Sequence, residues 1–529
     1  MYSHDTMNVY CHAENMAKPN EKLAASLEVL HDLQKEGRHI FRSGQLSRVH
    51  RDRLVKNGFL QPVIKGWLMS ASPGTRPGDS TGWFASFWEF CAAYCNQRFE
   101  TDWHLSPEQS LLLHAENSVV PAQTIVYSRK GHNNTIKLPF HTSLYDLKQS
   151  ELPPHNQMVV RDGLRLFSRD AALVRVPEPF FRRNQIEMQV VLAGVTDASN
   201  ILRILLDGGH SAIAGRLAGA LRRAGRSEQA DEILSVMRAG GYDVRESDPF
   251  ENKQSVFAIS RPPEAPIVGR LQAMWAASRD AVLKSFPPPP GLPKNKRAYL
   301  SQVDEIYKND AYHSLSIEGF RVSPDLIERV MSGKWDPQHH EADRQNRDAL
   351  AARGYWQAFQ RVKVSVSKAL AGENVGAIVR VDHREWYREL FEPNVASGLI
   401  SASALAGYRN DAVYLRNSRY VPPRWETVRD AMPALFDLIE TEPEPSVRAV
   451  LGHWLFGYIH PYLDGNGRMA RFLMNVLLAS GGYPWTVIRV EDRADYLHAL
   501  DRASIDLSLQ PFASFIAERV RRSLKKAKV

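Results

Sequence analysis

The chain has 529 residues, 67 Lys and Arg against 59 Asp and Glu for a net charge of +8, and 43% hydrophobic with 24% charged residues. That length exceeds one core and implies about three domains, and the ordinary composition excludes a fibrous or wholly disordered chain. The modest positive charge is compatible with a nucleotide or nucleic-acid partner without demanding one. No apolar run is long enough to span a bilayer, and Met1 to Asn20 lacks the apolar core of a signal peptide, which points to the cytoplasm and to no membrane partner.

Residues 1–26 read as a loose arm. From Leu27 the spacing of Leu27, Leu30 and Leu33 predicts a helix ending near Gly37. A turn and a second, basic helix carrying Arg48, Arg51 and Arg53 follow, stopped by Asn57-Gly58. Leu60 to Met69 then alternates as a β-hairpin turning at Lys65-Gly66. Helix, turn, basic helix and hairpin over 27–75 make a winged helix-turn-helix-like pattern, with DNA as a candidate partner of residues 42–69. Residues 76–255 read as a mixed α/β domain. Ile125–Tyr127 and Leu164–Phe167 look like strands, and 212–223 and 228–238 like helices. Three cysteines, Cys11, Cys91 and Cys95, cannot build a disulfide framework. Cys91 and Cys95 share a helix face, but no second ligand pair accompanies them, so they read as core thiols. Two proline-rich stretches, Arg261–Pro266 and Pro287–Pro293, mark 256–293 as a stiff linker around a short helical piece, Leu271–Leu283. From Lys294 the chain reads almost entirely helical.

The densest chemistry lies in His460-Pro461-Tyr462-Leu463-Asp464-Gly465-Asn466-Gly467-Arg468-Met469-Ala470-Arg471, which joins two apolar helices. Gly465-Asn466-Gly467 can present successive backbone N–H groups to one anion, and the following helix aims its N-terminus there. Arg468 and Arg471, three apart, share one helix face and suit bidentate phosphate contacts. Asp464 is placed to hold a phosphate-bridging Mg²⁺, and His460 titrates near working pH and can accept a hydroxyl proton.

This string resembles the Fic-domain signature, with Tyr462 where Phe is usual. The resemblance implies an all-α Fic fold over 294–529 and transfer of AMP from ATP to a Ser, Thr or Tyr hydroxyl of a target protein, the chain itself being one candidate. It implies His460 as general base, Asp464 on Mg²⁺, Gly465, Asn466, Gly467 and Arg468 around the anion, and Arg471 on the γ-phosphate. Asp411 to Pro423, with Val413, Tyr414 and Leu415, resembles the family's β-hairpin flap that pins the target. Tyr496 resembles a residue near the nucleotide base, a role to set beside ordinary core packing. Ser314, Glu318 and Gly319 resemble the family's inhibitory motif, which implies that Glu318 pairs with Arg471 and restrains the enzyme. The N-terminal half resembles antitoxin-type regulators of abortive-infection systems. The alternatives are a DNA-binding regulator with a Fic sensor half, removal of AMP from modified proteins, or transfer of another nucleotide. Target and oligomeric state are not written in the sequence.

Overall fold

The computed structural model describes residues 19–74, 78–250, 265–334 and 347–527. These divide into two units, the first taking Met1–Trp103, Ala122–Ser150 and Arg161–Leu164 and the second His104–Pro121, Glu151–Val160 and Arg165–Val529.

In the first unit a helix runs over Pro19–Leu33. Leu23, Leu27 and Leu30 already lie at helical spacing, and proline is well suited to a first helical turn. The arm expected over 1–26 is therefore helical from Pro19, while 1–18 lie outside the described residues. The helix Arg48–Lys56 is capped by Ser47, which accepts from His50 N at 3.3 Å. The strands Leu60–Ile64 and Trp67–Ser70 turn at Gly66, whose φ of +87° needs glycine. Ile40–Arg42 adds to the same antiparallel sheet on the other side of Trp67–Ser70. Leu30, Phe41, Leu46, Leu54, Leu60 and Leu68 form the small core between these elements. The helix Thr81–Phe99 buries Trp83, Phe87 and Phe90 together with both Cys91 and Cys95, and burial pushes both thiols well up from their ordinary pKa. Among the described residues no group of three His, Cys, Asp or Glu is arranged to hold a metal. Gln123–Ser128 runs parallel to Ser143–Lys148, which pairs antiparallel with Asn134–Lys137.

The second unit is helical around two cores. One gathers Leu173, Leu192, Leu205, Leu217 and Ile233 from helices between Arg169 and Ala239. The mixed domain expected over 76–255 is therefore not one body. Its strands at 123–148 belong to the first unit, and its later helices bury their apolar faces against one another in the second.

The linker expected over 256–293 also changes character. Residues 251–264 lie outside the described residues. From Pro266 to Ser285 the chain is a 20-residue helix with Ile267, Leu271, Met274 and Val282 fully buried. The proline run is strapped to the bundle, Pro287 O accepting from Tyr483 Oη at 2.7 Å and Gly291 N donating to Gly481 O at 3.0 Å. Proline content here reports stiffness, not separation: the apolar stripe of the helix demands a core.

The larger core unites the helices Lys296–Ile317, Arg347–Leu370, Val375–Ala396, Val428–Thr441, Pro445–Ile459, Asn466–Ala479, Arg493–Ile505 and Gln510–Ala527. No helix among the described residues is long and apolar enough to cross a membrane. Within this unit Arg270 is 1% exposed and donates to Glu187 Oε1 at 3.0 Å and to Tyr458 Oη at 2.8 Å, while Asn117 Nδ2 donates to the same Glu187 oxygen at 2.9 Å. Removing one partner of a buried ion pair strands the other charge at a cost of about 3–5 kcal/mol. Glu187→Ala is therefore expected to lower the urea midpoint strongly, and Glu187→Gln, which keeps an acceptor for Arg270, to lower it less.

Candidate active site

The helix Pro445–Ile459 stops where His460 enters the left-handed region at φ +52°. That conformation costs a side-chain-bearing residue about 1–2 kcal/mol, and Arg409 holds it in place. Arg409 N donates to Pro461 O and its Nε to His460 O, both at 2.8 Å, and the guanidinium also reaches the carbonyls of Asp411, Pro423 and Ile459. A cation here meets the unpaired carbonyls at a helix C-terminus. His460 Nδ1 lies 3.2 Å from Gly457 O. A carbonyl can only accept, so Nδ1 carries the proton and Nε2 keeps the lone pair. Burial pushes the imidazole pKa down to about 4, with the Gly457 bond acting the other way, so the ring is neutral at neutral pH.

Tyr462 stacks on Tyr387 at 3.7 Å and 7° and is buried. The Asn466 side chain ties the loop to itself, accepting from Tyr462 N at 2.9 Å and donating to Tyr462 O at 2.7 Å. Only Gly465 takes positive φ, +81°, and Asn466 already begins the helix Asn466–Ala479. The three-residue nest expected over 465–467 is thus one left-handed glycine followed by a helix N-terminus, with Asn466 offering its backbone alone. No side chain caps this helix, which leaves its first N–H groups for an anion. Asp464 accepts from Gly465 N at 2.6 Å, and its side chain is 66% exposed.

The two arginines part company. Arg468 is 2% exposed, lies between Phe320 and Phe391 at 5.2 and 5.1 Å from the ring centres, and stands 3.4 Å from Asp464. Arg471 turns to the helix Lys296–Ile317. Its Nε donates to Ser314 Oγ at 2.9 Å, and one terminal nitrogen donates to Ser314 O at 3.1 Å and Glu318 Oε1 at 2.6 Å. Glu318 caps that helix, and Gly319, at φ +89°, closes it with N–H bonds from Gly319 to Ser316 O and from Phe320 to Leu315 O. Burial disfavours a charged Glu318, yet the charge and hydrogen bond of Arg471, with Arg468 and His460 behind them, hold its carboxyl below the usual range. Burial likewise opposes the Arg471 charge, and Glu318 outweighs it. A Cβ on Gly467 would sit 2.3 Å from Glu318 Oε1, so the glycine is what lets the carboxylate lie against the helix N-terminus.

Glu318, His460, Gly467 and Arg471 face one cavity of about 420 Å³, with Leu415 and Tyr496 on other walls. Tyr496 is buried and its hydroxyl lies 2.7 Å from His453 Nε2. It is both wall and core, held rather than free to swing. The β-hairpin expected over 411–423 is not formed. Its residues lack a paired strand, Asn417 makes a left-handed turn, and the one bridge joins Tyr420 to Val119. Val120 N donates to Arg419 O and Arg419 Nε to Val120 O, both at 2.9 Å. Pro422 and Pro423 offer no N–H, and the partner strand comes from some 300 residues upstream, so local alternation could not reveal it. Val413 is half-buried, Tyr414 is 37% exposed and Leu415 reaches the cavity. Sequence reasoning missed Arg409, Phe320 and the buried Asp310, which accepts from Tyr355 Oη at 2.6 Å. Asp310 had a signal: with Ser314 and Glu318 it forms a row at i, i+4 and i+8 on one helix face.

Residues 380–478 match the Fic/DOC family model. The chain is 30% identical over 251 residues to the protein adenylyltransferase Fic of Nematostella vectensis, covering 46% of this chain and 52% of that one. It is 28% identical over 244 residues to the protein of the same name from Drosophila willistoni, covering 43% and 45%. The chain thus spans about half the length of the curated relatives it matches. A solved structure of Fic-1 from C. elegans aligns at 20% identity and a TM-score of 0.36, covering 63% of this chain and 93% of that one. The residues that match the Fic/DOC family model carry the segment from His460 to Arg471.

Proposed function

We propose that the chain transfers AMP from ATP to a Ser, Thr or Tyr hydroxyl of a protein target, and that Glu318 restrains it. The observation that carries this reading is the meeting, in one cavity, of a neutral His460, an uncapped helix N-terminus and an Arg471 already paired with an anion. The naming of the relatives as protein adenylyltransferases supports the reaction class.

In this reaction His460 Nε2 takes the hydroxyl proton as the oxygen bonds to the α-phosphorus and the bond to pyrophosphate breaks. The backbone N–H groups at the start of Asn466–Ala479, among them those of Gly467 and Arg468, lie where charge grows on the α-phosphate oxygens. Asp464, exposed and with lone pairs to spare, suits a Mg²⁺ shared with substrate phosphates, the usual mode of that ion, which when bound would neutralise phosphate charge. Tyr496 forms a wall for the nucleotide. The rim formed by Val413, Tyr414 and Leu415 serves the target segment, here as an irregular loop.

Glu318 restrains the reaction by occupying Arg471 and lying against Gly467, so that the γ-phosphate finds neither the cation nor the space. A charge-assisted pair of this kind contributes about 1.5–3 kcal/mol, which corresponds to roughly ten- to hundredfold in rate.

Glu318→Gly is therefore expected to raise self-labelling from α-labelled ATP by about that factor, and wild-type-like labelling of the variant would reject the restraint. His460→Ala in the same background should abolish transfer while nucleotide still binds; retained transfer would reject the base. The pH dependence has a definite sign. His460, with its pKa lowered to about 4, stays in its basic form as pH falls. The Glu318 pair, with a depressed carboxyl pKa, also persists as pH falls until that low value is crossed. The transfer rate of Glu318→Gly should thus show no limb near the ordinary histidine value of about 6.5, and a limb there would show that His460 is not held neutral.

A further inference from the structure

The first unit carries a charge concentration that the transfer reaction does not use. Residues 35–70 hold eight Lys or Arg against two acids, a net +6 out of +8 for the whole chain. The structure sorts these cations. On the helix Arg48–Lys56, Arg53 donates to Lys22 O at 2.7 Å and Ser26 Oγ at 2.8 Å, and His50 Nδ1 lies 3.0 Å from Ser26 Oγ. That side is committed to the helix Pro19–Leu33. The outward side presents Arg48, Val49, Asp52 and Lys56, with the Arg48 side chain 87% exposed and Val49 62% exposed. Beside it, Ser43 N donates to Gly66 O at 2.9 Å, which brings the end of the strand carrying Arg42 to the hairpin turn carrying Lys65, and both cations are exposed.

We infer that this face binds double-stranded DNA, with Arg48–Lys56 in the major groove and the Lys65-Gly66 turn against the flanking backbone. A nine-residue helix is about 13 Å long, and the B-form major groove, about 12 Å wide, admits a helix. Lys56, Lys65 and Arg42 meet phosphates. Arg48 can grip a guanine edge, Val49 can meet a thymine methyl, and Asp52 can accept from a cytosine amino group. Asp52 already lies 3.6 Å from Arg48 and 3.2 Å from Arg51, which orders the arginine before contact. Other polyanions fit less well. Single strands are held by stacking on aromatic rings, and here Phe41 and Trp67 are buried and Phe59 packs on the core. A lipid surface needs a broad apolar face, and Val49 is the one large exposed apolar side chain in this stretch. The deep, narrow major groove of duplex RNA excludes a helix.

The test is fluorescence anisotropy of the full chain with a labelled mixed-sequence DNA duplex at about 50 to 200 mM salt. On a mixed-sequence duplex, where Arg48 has no fixed guanine and meets a phosphate like Arg42, Lys56 and Lys65, four contacts predict a slope of log K against log salt of about −3 to −4, reduced by about 0.9 in each of Arg48→Gln and Lys56→Gln. Arg48→Lys should keep the slope, and Arg53→Gln, on the inward side, should leave it unchanged. Because Arg48 and Lys56 are exposed, their variants should keep the wild-type melting temperature and label transfer, which separates loss of binding from loss of fold and from the transfer reaction. No binding at the low-salt end, an unchanged slope in the Arg48→Gln and Lys56→Gln double variant, or tighter binding to single-stranded DNA, duplex RNA or phosphatidylserine vesicles would each overturn the inference.

Discussion

The buried guanidinium of Arg471 is the constraint around which the larger helical core is arranged. It is 4% exposed and sits in a helix whose neighbours are almost all apolar. A charge at that depth needs a counter-charge and filled hydrogen bonds in every populated state. Ser314 supplies two acceptors from one residue, and Glu318 supplies the charge. A site that must always pair its cation cannot be simply empty. Here the occupant is the carboxylate of Glu318; in the proposed reaction an incoming anion is the second, and control consists of exchanging one for the other.

That exchange explains features which otherwise look unrelated. Gly467 is needed because a side chain there would collide with the Glu318 carboxylate, and the same gap would admit a phosphate oxygen. Gly319 is needed because the chain must turn sharply just after Glu318, and the turn delivers Phe320 onto Arg468. One helix end therefore engages both motif arginines, one by charge and one by an aromatic face. The helix bearing this end is anchored along its length, with Tyr307, Ala311 and Leu315 buried and Asp310 held by Tyr355. Glu318 stands just outside the last helical residue, Ile317, so in the proposed exchange its carboxylate would leave without moving the helix.

The site was more legible in the sequence than the fold around it, and the reason is locality. His460 to Arg471 is twelve consecutive residues, and the pairing of Glu318 with Arg471, which the resemblance of Ser314, Glu318 and Gly319 to the inhibitory motif implies, is formed. What failed depended on partners far along the chain. The segment 411–423 alternates like a hairpin, but its only bridge is to Val119. The proline-rich stretch around 287 reads as a spacer, yet Tyr483 and Gly481 bind it. Arg409 looks like a surface charge until the carbonyls at 459–461 are seen beside it. Within the motif itself, three small or polar residues in a row suggested a loop, and the helix began one residue after the first of them, because an uncapped helix N-terminus uses the same residues as a nest.

Burial acts on three ionisable groups in this one cavity and leaves them in different states. His460 meets only a carbonyl at Nδ1, so burial wins and the ring is neutral. Glu318 and Arg471 meet each other, so pairing wins and both stay charged. The proposed base and the proposed switch thus differ in partner: His460 has a carbonyl, whereas Glu318, whose side chain is 31% exposed, has the Arg471 cation. The two settings are coupled, because the Glu318 charge favours a protonated His460. When Glu318 leaves, His460 loses a neighbour that raised its pKa and gains, in the proposed complex, phosphate oxygens that do the same. In the proposed complex one anion thus replaces another beside His460 while changing what holds Arg471, so the proposed switch acts on nucleotide position and leaves an anion near the proton acceptor.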